Sequence, residues 1–242
     1  MGDRKFMKHK PIVVLCAIAL LVLTTGKAWS QNKADKDFQD AVEQSSKSAR
    51  VFTEIMDAPD REIPKDILDG AECVMVFPDV IKAGFIIGGR GGRGVASCRT
   101  NAGWSGPAFF NLGGGSIGLQ IGAQSTDFVL LIMNEEGMKK LVGDQFEIGG
   151  DVSAAAGPVG RQAGVSTNIR LDAQILSYSR SKGLFAGLEL KGVVIKPDKS
   201  DMEAVYGKDV DVKGVLSGGT PNASVRSFSD TLARYSPRKE GD

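Results

Sequence analysis

The residues best equipped for chemistry are gathered in one tract, Gly88-Gly89-Arg90-Gly91-Gly92-Arg93-Gly94. Glycines let several backbone N–H groups converge on an anion, and an arginine fork can grip two oxygens of a phosphate or carboxylate. Lys82 and Arg99 stand nearby in sequence, so Lys82, Arg90, Arg93 and Arg99 form a candidate anion site. A solvated hairpin tip is the competing reading of the same tract. Gly89 to Gly94 also matches the G-x-G-x-x-G spacing of dinucleotide sites. Such sites need a helix to start there and an acidic residue about 20 positions on. Here the strand-like Val95-Ala96-Ser97-Cys98 follows, and Gly114 stands where the acid belongs.

Other chemistries are excluded by what the chain lacks. Its single histidine, His9, lies in a segment that reads as a removable leader. Without it, Ser-His-Asp and Cys-His catalysis, histidine metal sites and the usual neutral-pH proton shuttle all fall away. A hydrolase built on carboxylates stays open, but a non-enzymatic binding module is the simpler reading. Asp198, Asp201 and Glu203 lack the spacing of a calcium loop, so no metal and no cofactor is expected. Cys73 and Cys98 are candidates for a disulfide. It would close a loop of about 25 residues and stabilise by roughly 3 kcal/mol. Two buried thiols on neighbouring strands are the alternative.

The composition is that of a globular protein: 242 residues, 42% hydrophobic, 30 Lys+Arg against 29 Asp+Glu. Glycine stands out at 31 residues, roughly twice its usual share. Residues 1–30 read as a secretory signal peptide, with Arg4, Lys5, Lys8 and Lys10 preceding the apolar run from Ile12 to Leu23 and small residues following. The run is about a dozen residues, short of the roughly 20 that span a bilayer. Cleavage after Ala28 or after Ser30 fits, and the second is preferred. Export places the chain in the periplasm or outside the cell, with membrane association open. Removing the leader takes away five cations (Arg4, Lys5, Lys8, Lys10 and Lys27) and one acid, Asp3, leaving a slightly negative chain. Nothing in that balance draws it to nucleic acid, whose binding rests on clustered positive charge.

The elements that must position these groups follow from periodicity. Phe38, Val42, Ser45, Ala49, Phe52 and Ile55 recur at helical steps, so a moderately amphipathic helix is expected over Lys33–Met56, ended by Pro59. A short helix should begin after Pro64. Strands are expected at Cys73–Phe77, at 84–87 and 95–98 flanking the glycine tract as a hairpin, then at 104–112, 116–123, 128–133, 152–156, 173–179 and 184–194. Further short helices are expected at 135–142, 202–206 and 225–235. Glycines inside strands, as in Gly118-Leu119-Gln120-Ile121-Gly122, permit sharp coiling. The fold class is therefore α+β: a strongly curved antiparallel β-sheet, open or closed, with the N-terminal helix and short helices outside. Residues 31–242 form a single domain with its core at about 38–206 and a helical C-terminal extension over 207–242.

Read in order, several segments resemble the SYLF domain family, also described as the yeast actin-patch protein family. They are Ala71 to Pro78 with Lys82-Ala83-Gly84-Phe85, Gly94-Val95, Trp104-Ser105-Gly106-Pro107, Gly118 to Gly122, Asp127 to Asn134, Ala156 to Arg161, and Tyr178 to Phe185. The resemblance implies a binding module. Eukaryotic members bind phosphoinositide-containing membranes, and fungal ones also bind actin. It further implies that the N-terminal helix contacts lipid, which makes Lys33, Lys36, Phe38, Val42 and Phe52 membrane-helix candidates; packing of that stripe on the sheet is the alternative. This chain departs from the pattern in its leader and in a helix richer in acid than in base. The expectation is an exported module for anionic phospholipid headgroups at a membrane surface. A cell-envelope scaffold binding a protein partner is the alternative.

Overall fold

A computed structural model describes residues 10–59, 62–160, 173–181, 184–188, 190–219 and 222–237. The first residues of the leader, Arg161 and the Lys182-Gly183 pair lie outside the described residues.

The first helix, α1 (Lys10–Met56), is much longer than the period-3.6 stripe alone implied. Pro11 sits in its first turn, where a missing N–H costs nothing, and no proline interrupts the chain again until Pro59. The apolar run of the leader and the amphipathic segment thus share one backbone helix. After Pro64, which caps it, comes the short α2 (Lys65–Asp69).

Two very long strands dominate the sheet. The first, β1 (Cys73–Thr100), is followed by the two-residue β2 (Gly103–Trp104) and by β3 (Ala108–Ile132). β1 and β3 pair antiparallel from Cys73↔Ile132 to Ala96↔Ala108. The glycine-arginine tract is therefore strand, with Arg90 opposite Gly114 and Arg93 opposite Asn111. This corrects the hairpin-tip reading: backbone pairing with β3 satisfies every second N–H and C=O of the tract, which leaves no loop there. The stretches 104–112, 116–123 and 128–133 likewise merge into β2 and one continuous β3.

The ribbon doubles back on itself. Register shifts lie between Phe77 and Val80 and between Gly84 and Ile86. The end of β1 then returns beside its beginning, where the N–H of Arg99 donates to the carbonyl of Glu72 at 2.8 Å. Cys73 and Cys98 are joined there as a disulfide, with Cα atoms 4.0 Å apart. Gly92 and Gly94 allow the return. A Cβ on Gly94 would sit 2.4 Å from the Phe77 ring and 2.5 Å from the Val76 carbonyl oxygen, and one on Gly92 would meet Val80 at 2.7 Å. At the first register shift, Asp79 takes a left-handed φ of 51°, and its N–H donates to the carboxylate of Asp127.

The remaining strands complete two layers. β6 (Ile175–Ser181) pairs with the second half of β3, while β8 (Val193–Pro197) pairs with the first half. β4 (Phe146–Ile148) extends β8, and β7 (Leu184–Gly187) pairs with β6. Among the named strands of the described residues, β5 (Ala154–Ala156) is the one parallel neighbour, lying along β6. The result is the strongly curved, nearly closed barrel expected for an α+β chain, antiparallel except at β5.

Short helices cover it: α3 (Glu135–Leu141), α4 (Lys199–Tyr206), α5 (Val212–Leu216) and α6 (Ser227–Tyr235), the last preceded by a 3-10 turn at Ala223–Val225. Asn134, Asp198 and Asp211 cap α3, α4 and α5 by accepting from their first-turn N–H groups. The C-terminal segment belongs to the core rather than extending from it. Val225, Phe228 and Leu232 are fully buried, and Phe228 meets Phe52 of α1 edge-on.

Gly94→Ala is expected to lower the unfolding free energy by about 3 kcal/mol, since the backbone oxygen it meets cannot move aside. Gly113→Ala, where an added Cβ meets nothing within 4 Å, should change it by less than about 0.5 kcal/mol. Urea unfolding of the two variants measures both, and equal losses would contradict the close-approach argument.

Candidate functional site

Strand alternation decides which basic side chains meet. Successive residues of a strand point to opposite faces, so Arg90 and Arg93, three apart, must diverge. Arg90 shares its face with Gly92 and Gly94, the face turned toward the first half of β1. On that half the bulge at Asp79 shifts the alternation, so Val80 and Lys82 point inward as well.

Between the layers lies a cavity of about 450 Å³ lined by Val80, Lys82, Arg90, Gln124, Thr126, Phe128, Ser179, Ser181, Leu188 and Lys191. Three of these side chains are cationic and none is acidic. Hydroxyls of Thr126, Ser179 and Ser181 and the amide of Gln124 add neutral hydrogen-bonding groups, and Gln124 is held by donating to Ser181 at 2.9 Å. Val80, Phe128 and Leu188 supply apolar surface. Arg90 Nε is buried without a hydrogen-bond partner. An arginine nitrogen in that state favours an incoming oxygen anion, because desolvation has already been incurred.

Lys191 is the residue the sequence reading missed. It was placed inside a strand over 184–194, whereas β7 ends at Gly187 and β8 starts at Val193. Gly192 takes a positive φ of 66°, and the bareness of Gly114 lets this turn approach β3: a Cβ there would lie 2.5 Å from the Gly192 carbonyl oxygen. The Lys191-Gly192 pair, a turn signal between two apolar runs, was the available clue.

Arg93 and Arg99 belong elsewhere. Arg93 lies on the outer face, where its guanidinium pairs with Asp40 of α1 at 3.3 Å, Asp198 at 3.6 Å and Asp201 of α4. The side-chain amide of Gln44 also donates to the Arg93 carbonyl. These contacts clamp α1 to the barrel. Asp201 is 2% exposed. Burial foremost and the neighbouring Asp198 push its pKa up to about 6, against the pull of Arg93. Burial works against the charge on Arg93, but Asp201, Asp198 and Asp40 outweigh it and hold that group above its ordinary value. Arg99 donates to the carbonyls of Ala71 and Leu68 and to Ser236, with its guanidinium 4.4 Å over the Trp104 ring. It ties α2 and the C-terminal segment to the ribbon, and burial lowers its pKa. Both arginines are thus corrected from anion ligands to fastenings of the fold.

The lipid-contact stripe of α1 is corrected in the same way. Phe52 is fully buried, between Phe228 and Tyr235, and Phe38 and Val42 pack against the core. Ser45 donates to the carbonyl of Val225, and Arg180 bridges Glu54 of α1 to Asp127 of β3. Lys33 and Lys36 are exposed, with Lys36 beside Asp40. The amphipathic stripe from Phe38 to Ile55 is consumed by the domain. Of the Asp198, Asp201 and Glu203 trio, two serve Arg93, and Glu203 pairs with Lys208.

The proton on Asp201 gives a pH test. Its folded pKa of about 6 lies above the ordinary 3.8, so the folded chain holds a proton that the unfolded chain releases over that interval. This contribution to stability is full below the ordinary value and is lost as pH rises through the folded one. Asp201→Asn is therefore expected to gain stability relative to wild type as pH rises across that window, read from unfolding midpoints. A constant difference would refute it.

Comparison with known proteins adds an independent line. The family described as Ysc84, Las17-binding protein actin regulator, matches residues 113–235. SH3 domain-containing YSC84-like protein 1 of Homo sapiens is 29% identical over 216 residues, covering 87% of this chain and 63% of that protein. Its Rattus norvegicus counterpart is 30% identical over 214 residues, 86% of this chain and 63% of the relative. LAS seventeen-binding protein 3 of Saccharomyces cerevisiae is 35% identical over 165 residues, 66% of this chain and 35% of the yeast protein. The chain spans less than two thirds of the length of each.

Proposed function

Since the chain belongs to the Ysc84 family, the SYLF family its motifs resemble, we propose that it is a binding module without chemical turnover, taking an anionic phospholipid headgroup at a membrane surface. The observation that carries this reading is the convergence of Lys82, Arg90 and Lys191 on a cavity whose lining among the described residues holds no carboxylate. Cations with neutral donors between them complement a phosphate group, and the bare Nε of Arg90 offers it a fixed donor. The leader at residues 1–30 supports export, so the membrane would be met from the periplasmic or outer side.

A second reading rests on the relatives. The yeast relative is named for binding Las17, and the family is described as an actin regulator. A protein-interaction platform is therefore the other candidate, with an envelope protein as the partner of an exported chain.

The two readings separate in one experiment. Vesicles of phosphatidylcholine mixed with phosphatidylglycerol should pellet the chain, and vesicles of phosphatidylcholine alone should not. Each basic residue near an anionic surface contributes about 1 kcal/mol, so Lys82→Glu or Arg90→Glu should weaken binding by roughly tenfold or more, counting both the lost attraction and the added repulsion. Equal pelleting of wild type and both variants would remove the cavity from the account. Failure of wild type to pellet, with capture of a defined crosslinked partner, would select the protein-interaction reading.

A further inference from the structure

Three large apolar side chains are exposed among the described residues: Ile81 at 47%, Leu184 at 65% and Leu188 at 37%. Two of them, Leu184 and Leu188, fall together, while Ile81 stands apart on the other face of its strand. Leu188 lines the cationic cavity itself. Leu184, at the start of β7, is the register partner of Ser181 on β6, and cross-strand partners project to the same face. Ser181 lines the cavity, so Leu184 stands at its border. Ile81 lies between Val80 and Lys82, two lining residues, and occupies the outward face of the same piece of β1.

Single exposed apolar residues are ordinary, but their grouping around a cationic opening is a different matter. Apolar side chains bordering basic ones are what an anionic bilayer surface matches, with basic groups meeting phosphates and neighbouring leucines entering the acyl boundary. The helix that might otherwise do this has its apolar stripe buried against the sheet and α6. We infer that the mouth of this cavity, with Leu184 and Leu188 at its edge, is the membrane-inserting surface, and that α1 stays docked on the domain when the bilayer is bound. This rests on the headgroup reading above and adds the face and orientation of contact.

Tryptophan placed at the edge reports insertion directly. Leu184→Trp, at a mostly exposed position, is expected to show a blue-shifted emission on vesicles of phosphatidylcholine and phosphatidylglycerol, and quenching by lipids brominated on their acyl chains. Wild type without its leader supplies the background from Trp104. Glu43→Trp, on the exposed side of α1, should be quenched no more than that background. Leu184→Asp should weaken vesicle binding by about tenfold, since insertion depends on apolar area, with its unfolding midpoint unchanged. If wild type binds these vesicles while Leu184→Trp is unquenched, or while Glu43→Trp is the quenched position, the mouth is not the inserting surface and the headgroup reading survives without it. If wild type ignores the vesicles, the headgroup reading fails and this inference goes with it.

Discussion

Two backbones of the same strand pass each other almost without side chains between them, and most of the molecule follows from that passage. Gly92 and Gly94 lie so close to Val80 and Val76-Phe77 that no other residue fits without displacement. Because of it the β1–β3 ribbon doubles over, the ends of β1 meet at Glu72 and Arg99, and a disulfide fastens them. The curvature also leaves β3 with two partners on its far edge, β8 and then β6. The cavity is what remains between the layers where Arg90, rather than glycine, occupies the inward face.

The same geometry sorts charge by face. Inward, Lys82 and Arg90 share a cavity with hydroxyls, an amide and apolar surface, whereas Arg93 and Arg180 meet carboxylates. Arg93 is surrounded by Asp40, Asp198 and Asp201, and Arg180 stands between Glu54 and Asp127. A half-buried guanidinium neutralised by several acids serves as a fastening and is not presented to a ligand, because displacing any partner leaves uncompensated charge behind. One tract therefore supplies both a candidate ligand-binding arginine and a helix clamp, separated by the pleat of a single strand.

Much of this was legible in the sequence. The helical stripe of α1, the proline that opens α2, the apolar strands and the curvature implied by strand glycines all have local causes and were read from them. The nomination of Lys82 and Arg90 came from composition around the tract, and the structure brings those two together. What failed was long-range. Reading the tract as a loop hid the alternation that sends Arg93 and Arg90 to opposite faces. The bulge at Asp79, which turns Lys82 inward, depends on an N–H bond to Asp127 far along the chain. Lys191 looked like a mid-strand residue because the turn at Gly192 is set by its approach to Gly114. The carboxylates around Arg93 come from two distant segments, Asp40 on α1 and Asp198 with Asp201 at the start of α4, and nothing in the sequence announces that they share a guanidinium.

The meeting of α1 with α6 has a kinetic consequence. Phe52 is covered by Phe228 and Tyr235, and Ser45 is bonded to the carbonyl of Val225, 180 positions later. The earliest helix to leave a ribosome or a translocation pore therefore has no finished seat until almost the last residues have emerged. Contacts so distant along the chain carry a large loop-closure cost before they return any stabilisation, which slows folding and concentrates it into one late step. Until that step, α1 offers its apolar stripe to any chaperone or bilayer within reach.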